Sequence, residues 1–176
     1  MKLYVPSDNS GVTTCGGFDM KERKPDDVAC VLIGVGVPKE TANKISRLCG
    51  LKGDNAKQAI KDAGLSAFVL TKPQAEAIFL HEYQYMEREC KRITTKADVE
   101  KAYGKVAWDK LDERIKAVLV CCLYRGDLVA ESRKILMPHA VKNDISGFRK
   151  ALDNPWFGRV PPDRMKRIKE FLPAPV

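Results

Sequence analysis

Residues 7–20, SDNSGVTTCGGFDM, hold the groups whose types and spacing could do chemistry. A Thr-Thr pair and the lone carboxylate of Asp19 stand among glycines and polar turn residues. Such a string builds a phosphate cradle, a tight hairpin or part of a catalytic cleft. A phosphate cradle requires G-x-x-x-x-G-K-[ST], or G-x-G-x-x-G between a strand and a helix, and neither is present. A hairpin fits better. LYV and GVTT are strand-like, PSDNSG between them is dense in turn formers, and Gly16 and Gly17 permit a second bend before Phe18. A hairpin alone accounts for the glycines but leaves Thr13 and Asp19 without a purpose.

Other chemistries find less support. The six cysteines show no C-x-x-C pairing and no histidine at metal spacing, so no metal site is expected. Cys121 and Cys122 sit in an apolar run and read as buried thiols behaving as small hydrophobes. His81 and His139 lack partners nearby in sequence and read as surface or packing residues. No Ser/His/Asp or Cys/His order carries a nucleophile motif.

The elements that must position the hairpin are helical. DDVACVLIGVG, PKETANKISRLCG and GDNAKQAIKDAG each combine an acid or proline at the start with a glycine stop. A longer helix is expected over TKPQAEAIFLHEYQYMERECKRI, with Thr71 as N-cap and an apolar stripe at 75, 78, 79, 83, 86, 90 and 93. Glu76, Glu82, Glu87, Arg88 and Lys91 are assigned to its solvated faces. One helix from about Trp108 to Tyr124 turns apolar all round in its second half, as a buried central helix does. DLVAESRKIL, KNDISGFRKAL and the basic PPDRMKRIKEFL supply further short helices. No period repeats and no linker divides the chain. The expected architecture is α+β, mostly α: a single domain over residues 1–176, with a hairpin in residues 1–20 and helices over 21–176.

YVPSDNSGVTTCGGFDM resembles the active-site hairpin of phage-type lysozymes, most closely the pesticin-like lysozyme domains of bacterial toxins and effectors. That branch carries Tyr-Val-Pro followed by Ser-Gly-Val-Thr-Ile-Gly-x-Gly-Phe-Asp. Thr14 stands for the isoleucine and Cys15 for the first glycine, while Thr13, Gly17, Phe18 and Asp19 match. GLKGDNAKQAI, LTKPQAEAI, AVLVCCLYRGD and PPDRMKRIKEFL are similar at the level of pattern to later parts of the family. The resemblance implies a lysozyme-like fold and a muramidase that cuts between N-acetylmuramic acid and N-acetylglucosamine. It casts Asp19 as the second catalytic carboxylate and Thr13 as the hydroxyl that places the attacking water. Gly17, Phe18 and Arg125 fall at substrate-binding positions, although Arg125 reads equally as a helix C-cap.

Glycosidases of this kind use two carboxyl groups. In the family the general acid is a glutamate near the end of a helix before the hairpin. Here MKLY precedes the Val-Pro, Asp8 lies in an exposed turn, and Glu22 within KERK reads as a surface charge. An upstream domain or a partner chain is therefore expected to supply the acid. The alternative is a relative that no longer cleaves and binds glycan or protein through the same cleft.

Composition agrees with a polyanionic partner. The 176 residues carry a formal charge of +8. Peptidoglycan glycan strands are the expected partner. The basic residues are spread along the chain rather than gathered on one recognition helix with interleaved aromatics, so nucleic acid is not expected. No cofactor is expected. The first residues lack the apolar stretch of a secretory signal, and no apolar run is long enough to span a bilayer. The expectation is synthesis in the cytoplasm and action at the cell wall or periplasm after delivery.

Overall fold

The structure, a computed structural model, describes residues 1–173. It is α+β and mostly helical, with a small antiparallel hairpin near the beginning. The chain divides into two compact units, Met1–Tyr83 and Gln84–Val176. The boundary falls inside a continuous helix, which is why no shift of composition marks it.

In the first unit, β1 (Thr13–Thr14) pairs antiparallel with β2 (Phe18–Asp19), Thr13 facing Asp19 and Thr14 facing Phe18. A 3-10 turn, Cys15–Gly17, joins them. Gly16 and Gly17 take φ of +62° and +80°, the left-handed region that favours glycine. Tyr4 exchanges two backbone hydrogen bonds with Thr13, at 3.0 and 2.8 Å, so the expected LYV pairing is present as a single bridge.

The first three helices are α1 (Pro25–Gly34), α2 (Lys39–Ser46) and α3 (Gly53–Asp62). Pro25 opens α1 with Asp26 and Asp27 in its first turn, where the unpaired amides favour negative charge. α1 packs on α2. Val12, Phe18 and Met20 of the hairpin segment join Val28, Leu32 and Ile45 in one core in which each is almost wholly buried. Full burial of one such side chain contributes roughly 1.5–3 kcal/mol, so the hairpin is anchored by its own apolar residues. The turn before it is tied down as well: Gly53, at the start of α3, donates to the Ser10 carbonyl at 3.0 Å.

Helix α4 (Lys72–Thr94) begins with a reciprocal cap. The Thr71 amide donates to Gln74 Oε1 at 3.0 Å, and the Gln74 amide donates to Thr71 Oγ1 at 3.4 Å. Its apolar stripe differs from the expected one. Ala75 and Ile78 are buried and Phe79 is exposed, while Glu82 occupies the next inward position. Glu82 was assigned to a solvated face; the structure buries it because an arginine meets it there.

The second unit holds α5 (Ala97–Tyr103), α6 (Glu113–Tyr124), α7 (Ala130–Val141), α8 (Ile145–Ala151) and α9 (Pro162–Phe171). α5 was not expected. The single helix expected from Trp108 is broken: Trp108–Lys110 form a 3-10 turn, and α6 starts after Asp112. Asp112 is the reason. Its Oδ1 accepts the Arg114 amide at 2.8 Å, so it caps α6 rather than continuing a helix into it. Ile115, Val118, Leu119, Val120 and Cys122 of α6 are buried, as its apolar run requires. α7 packs on α8 and α5. No described helix is long and apolar enough to cross a membrane.

Candidate functional site

Thr13 and Asp19 face each other across the hairpin because β1 and β2 pair in that register. Both side chains are fastened to one residue, Gly11. The Gly11 amide donates to Asp19 Oδ1 at 3.1 Å and Oδ2 at 3.2 Å, and the Gly11 carbonyl accepts the Thr13 hydroxyl at 3.0 Å. Asp19 Oδ1 also accepts the Lys21 amide at 2.8 Å. Oδ2 shares only the bifurcated Gly11 contact among the described residues and is the less engaged of the two oxygens. Gly11 cannot be another residue here. A Cβ on it would stand 2.6 Å from Asp19 Oδ1 and 2.7 Å from the Lys21 amide nitrogen.

The side chains expected at the site are thus brought together in part. Thr13 is 2% exposed, its hydroxyl turned to Gly11. It bonds the same residue that holds Asp19, and its hydroxyl is turned away from solvent. The Phe18 ring is fully buried, with the Arg23 guanidinium 4.1 Å from its centroid, so its substrate-facing role is corrected to packing. Gly17 lies in the turn between the strands. Arg125 belongs to the second unit, where it is the C-cap residue of α6 and its Nε donates to the buried Asp127 at 2.8 Å. Asp8 and Glu22 are solvent-facing, as expected, with loose lysine neighbours at 3.8 and 3.2 Å.

Sequence reasoning missed the cluster beside β2. Arg23 Nε donates to the Asp19 carbonyl at 2.9 Å, and its two terminal nitrogens grip the Glu82 carboxylate at 3.2 and 2.5 Å. Glu82 is 5% exposed. His81 Nδ1 lies 3.3 Å from Glu82 Oε1. A charged position at 82 between the apolar positions 75 and 78 and the apolar Tyr83 was the available signal, since it breaks the inward face of α4. Among the described residues no group of histidines, cysteines and carboxylates is arranged to hold a metal ion.

A separate open pocket of about 390 Å³ lies at the hairpin tip, lined by Cys15, Gly16, Lys72, Glu76 and Phe79 among others. Neither Thr13 nor Asp19 lines it. Burial raises the Cys15 thiol above its ordinary range.

The sequence profile of the family described as Domain of unknown function (DUF8812) matches residues 1–169. The chain belongs to the DUF8812 family. The match takes in the hairpin, the Arg23–Glu82 cluster and α5 to α8 alike, so the site just described lies wholly within the DUF8812 domain. No curated protein matches the chain.

Proposed function

We propose that this chain is a lysozyme-type domain that recognises peptidoglycan glycan strands, with Asp19 as one carboxylate of a muramidase site. The observation that carries the reading is the shared fastening of Thr13 and Asp19 to Gly11 across the β1–β2 register. A carboxylate fixed by backbone amides, with one oxygen less engaged than the other, suits the activation of water or the stabilisation of positive charge on a sugar ring. Thr13 acts through Gly11 as a positioning residue. The cleaved linkage is that between N-acetylmuramic acid and N-acetylglucosamine, and the chemistry requires no metal or organic cofactor.

The proton donor is a second group. Glu82 is tied to β2 by Arg23, yet both of its oxygens are engaged by the guanidinium. A buried carboxylate held in that way is a poor source of a proton for a leaving oxygen. The acid comes from an upstream domain or a partner chain, and the place of action is the cell wall or periplasm.

A second reading, a relative that binds glycan without cutting it, is favoured by the same geometry: Asp19 spends its hydrogen bonds on backbone, and Glu82 is locked. Purified peptidoglycan separates the two. Sedimentation with the polymer reports binding, and release of reducing ends reports cleavage. Release that depends on Asp19 supports the muramidase reading; binding without release supports the second.

A further inference from the structure

Phe79 is an anomaly on α4. It is 54% exposed, although the apolar pattern of the helix would bury it. Its ring edge lies against Gly16, where an added Cβ would stand 3.0 Å from Phe79 Cδ2. The ring is therefore held at the hairpin tip, at the mouth of the pocket described above. One and two turns earlier on the same helix, Glu76 and Lys72 flank it with their charged ends 3.7 Å apart. An aromatic face bordered by a carboxylate and an ammonium suits a sugar ring. The C–H groups of a pyranose stack on the ring, and its hydroxyls and amide meet the polar rim.

The position fits a glycan path. Gly16 is three residues from both Thr13 and Asp19, so at about 3.3 Å per strand residue the tip lies within about 10 Å of the Thr13–Asp19 rung. At that distance a polysaccharide strand held at the rung would have its next rings within reach of the hairpin tip. We propose that Phe79, with Gly16, Glu76 and Lys72, forms a binding subsite for an N-acetylhexosamine ring at the hairpin tip. The inference rests on the glycan reading above and adds to it a residue that contacts sugar away from Asp19.

The test uses the full chain and a defined probe, the tetrasaccharide of β-1,4-linked N-acetylglucosamine, followed by calorimetry and by sedimentation onto purified peptidoglycan. Phe79→Ala is expected to weaken both at least tenfold, and Phe79→Trp to restore them. Phe79 is exposed, so neither change at 79 empties the core, and thermal melting checks that each variant is folded. Glycan binding that is equal in wild type and Phe79→Ala overturns the subsite and leaves the glycan reading standing. Absence of glycan binding by the wild type overturns both. Self-association that Phe79→Ala abolishes, in the absence of sugar binding, makes the patch a contact between copies and also overturns the subsite.

Discussion

Arg23 closes on Glu82 with both terminal nitrogens while its Nε holds the Asp19 carbonyl. One guanidinium thus joins the strand that carries the candidate catalytic carboxylate to a buried carboxylate on α4. Leaving the Glu82 carboxylate alone in that setting is costly, because it is buried, whereas Arg23 keeps part of its side chain in solvent. Arg23→Met is expected to lower stability by roughly 3 kcal/mol, Glu82→Leu by less, and the paired change by clearly less than the sum of the two. Urea unfolding of the two single variants and the double variant measures this. Equal, additive losses would show that the pair is not coupled.

Asp19 carries a stabilising role besides the proposed chemical one. Asparagine keeps one acceptor oxygen but places an NH2 where amides converge. Asp19→Asn is expected to cost about 1–2 kcal/mol, through partly unsatisfied donors at Gly11 and Lys21. Gly11→Ala, which drives a methyl into the same carboxylate, is expected to cost more. Thermal melts of both variants read the order directly.

Thr14 offers the opposite sign. Its hydroxyl is fully buried and among the described residues finds no good hydrogen-bond partner, only the neighbouring Cys15 thiol, a weak one. Thr14→Val keeps the shape and removes the polar atom. An increase in stability of about 1 kcal/mol is expected in chemical denaturation. A loss of that size would mean that the hydroxyl has a partner.

The cap of α6 gives a pH signature. The Arg114 guanidinium and the helix amides hold Asp112 down at about 2, from an ordinary 3.8. A carboxyl lowered on folding adds stability that is present above pH 4 and is lost as pH falls through 2. With Arg114 partly in solvent, about 1 kcal/mol is expected. Asp112→Asn retains a capping oxygen, so its deficit against wild type should shrink between pH 6 and pH 2. A deficit that does not change with pH would assign the whole effect to the cap.

The thiols should divide sharply. Cys30 is exposed, whereas Cys15, Cys90 and Cys122 are buried, and burial pushes Cys90 up to about 12 and Cys122 upward as well. A thiol reagent at pH 8 should modify Cys30 first and reach Cys90 and Cys122 only with denaturant, as peptide mapping would show. Rapid modification of Cys90 in the native protein would contradict the packing of α4.

What the sequence made legible follows from local rules. The hairpin, the Thr71 cap and the helices are set by residues within a few positions of one another, and all are present, although α2 ends at Ser46, four residues before the expected stop at Gly50. The break before α6 was hidden because Asp112 looks like any polar residue on an amphipathic face until its oxygen is seen on the Arg114 amide. Glu82 was hidden for a different reason. Its burial depends on Arg23, 59 residues away in sequence, and helical periodicity alone assigns a glutamate to solvent. The glycines were legible as turn formers, but the reason for Gly11 was not, because the atoms that exclude a side chain there belong to Asp19 and Lys21 across the hairpin.

Reducing-end release from purified peptidoglycan, measured beside sedimentation for wild type and Asp19→Asn, tests the central claim most directly. A general acid contributes about 10²- to 10⁴-fold to rate, so release by this chain should fall short of a complete lysozyme by about that factor. The account predicts sedimentation of both proteins with the polymer and slow release that disappears in Asp19→Asn. Release that survives the loss of the Asp19 carboxylate would contradict the assignment of that residue. Absence of both sedimentation and release would contradict the account as a whole.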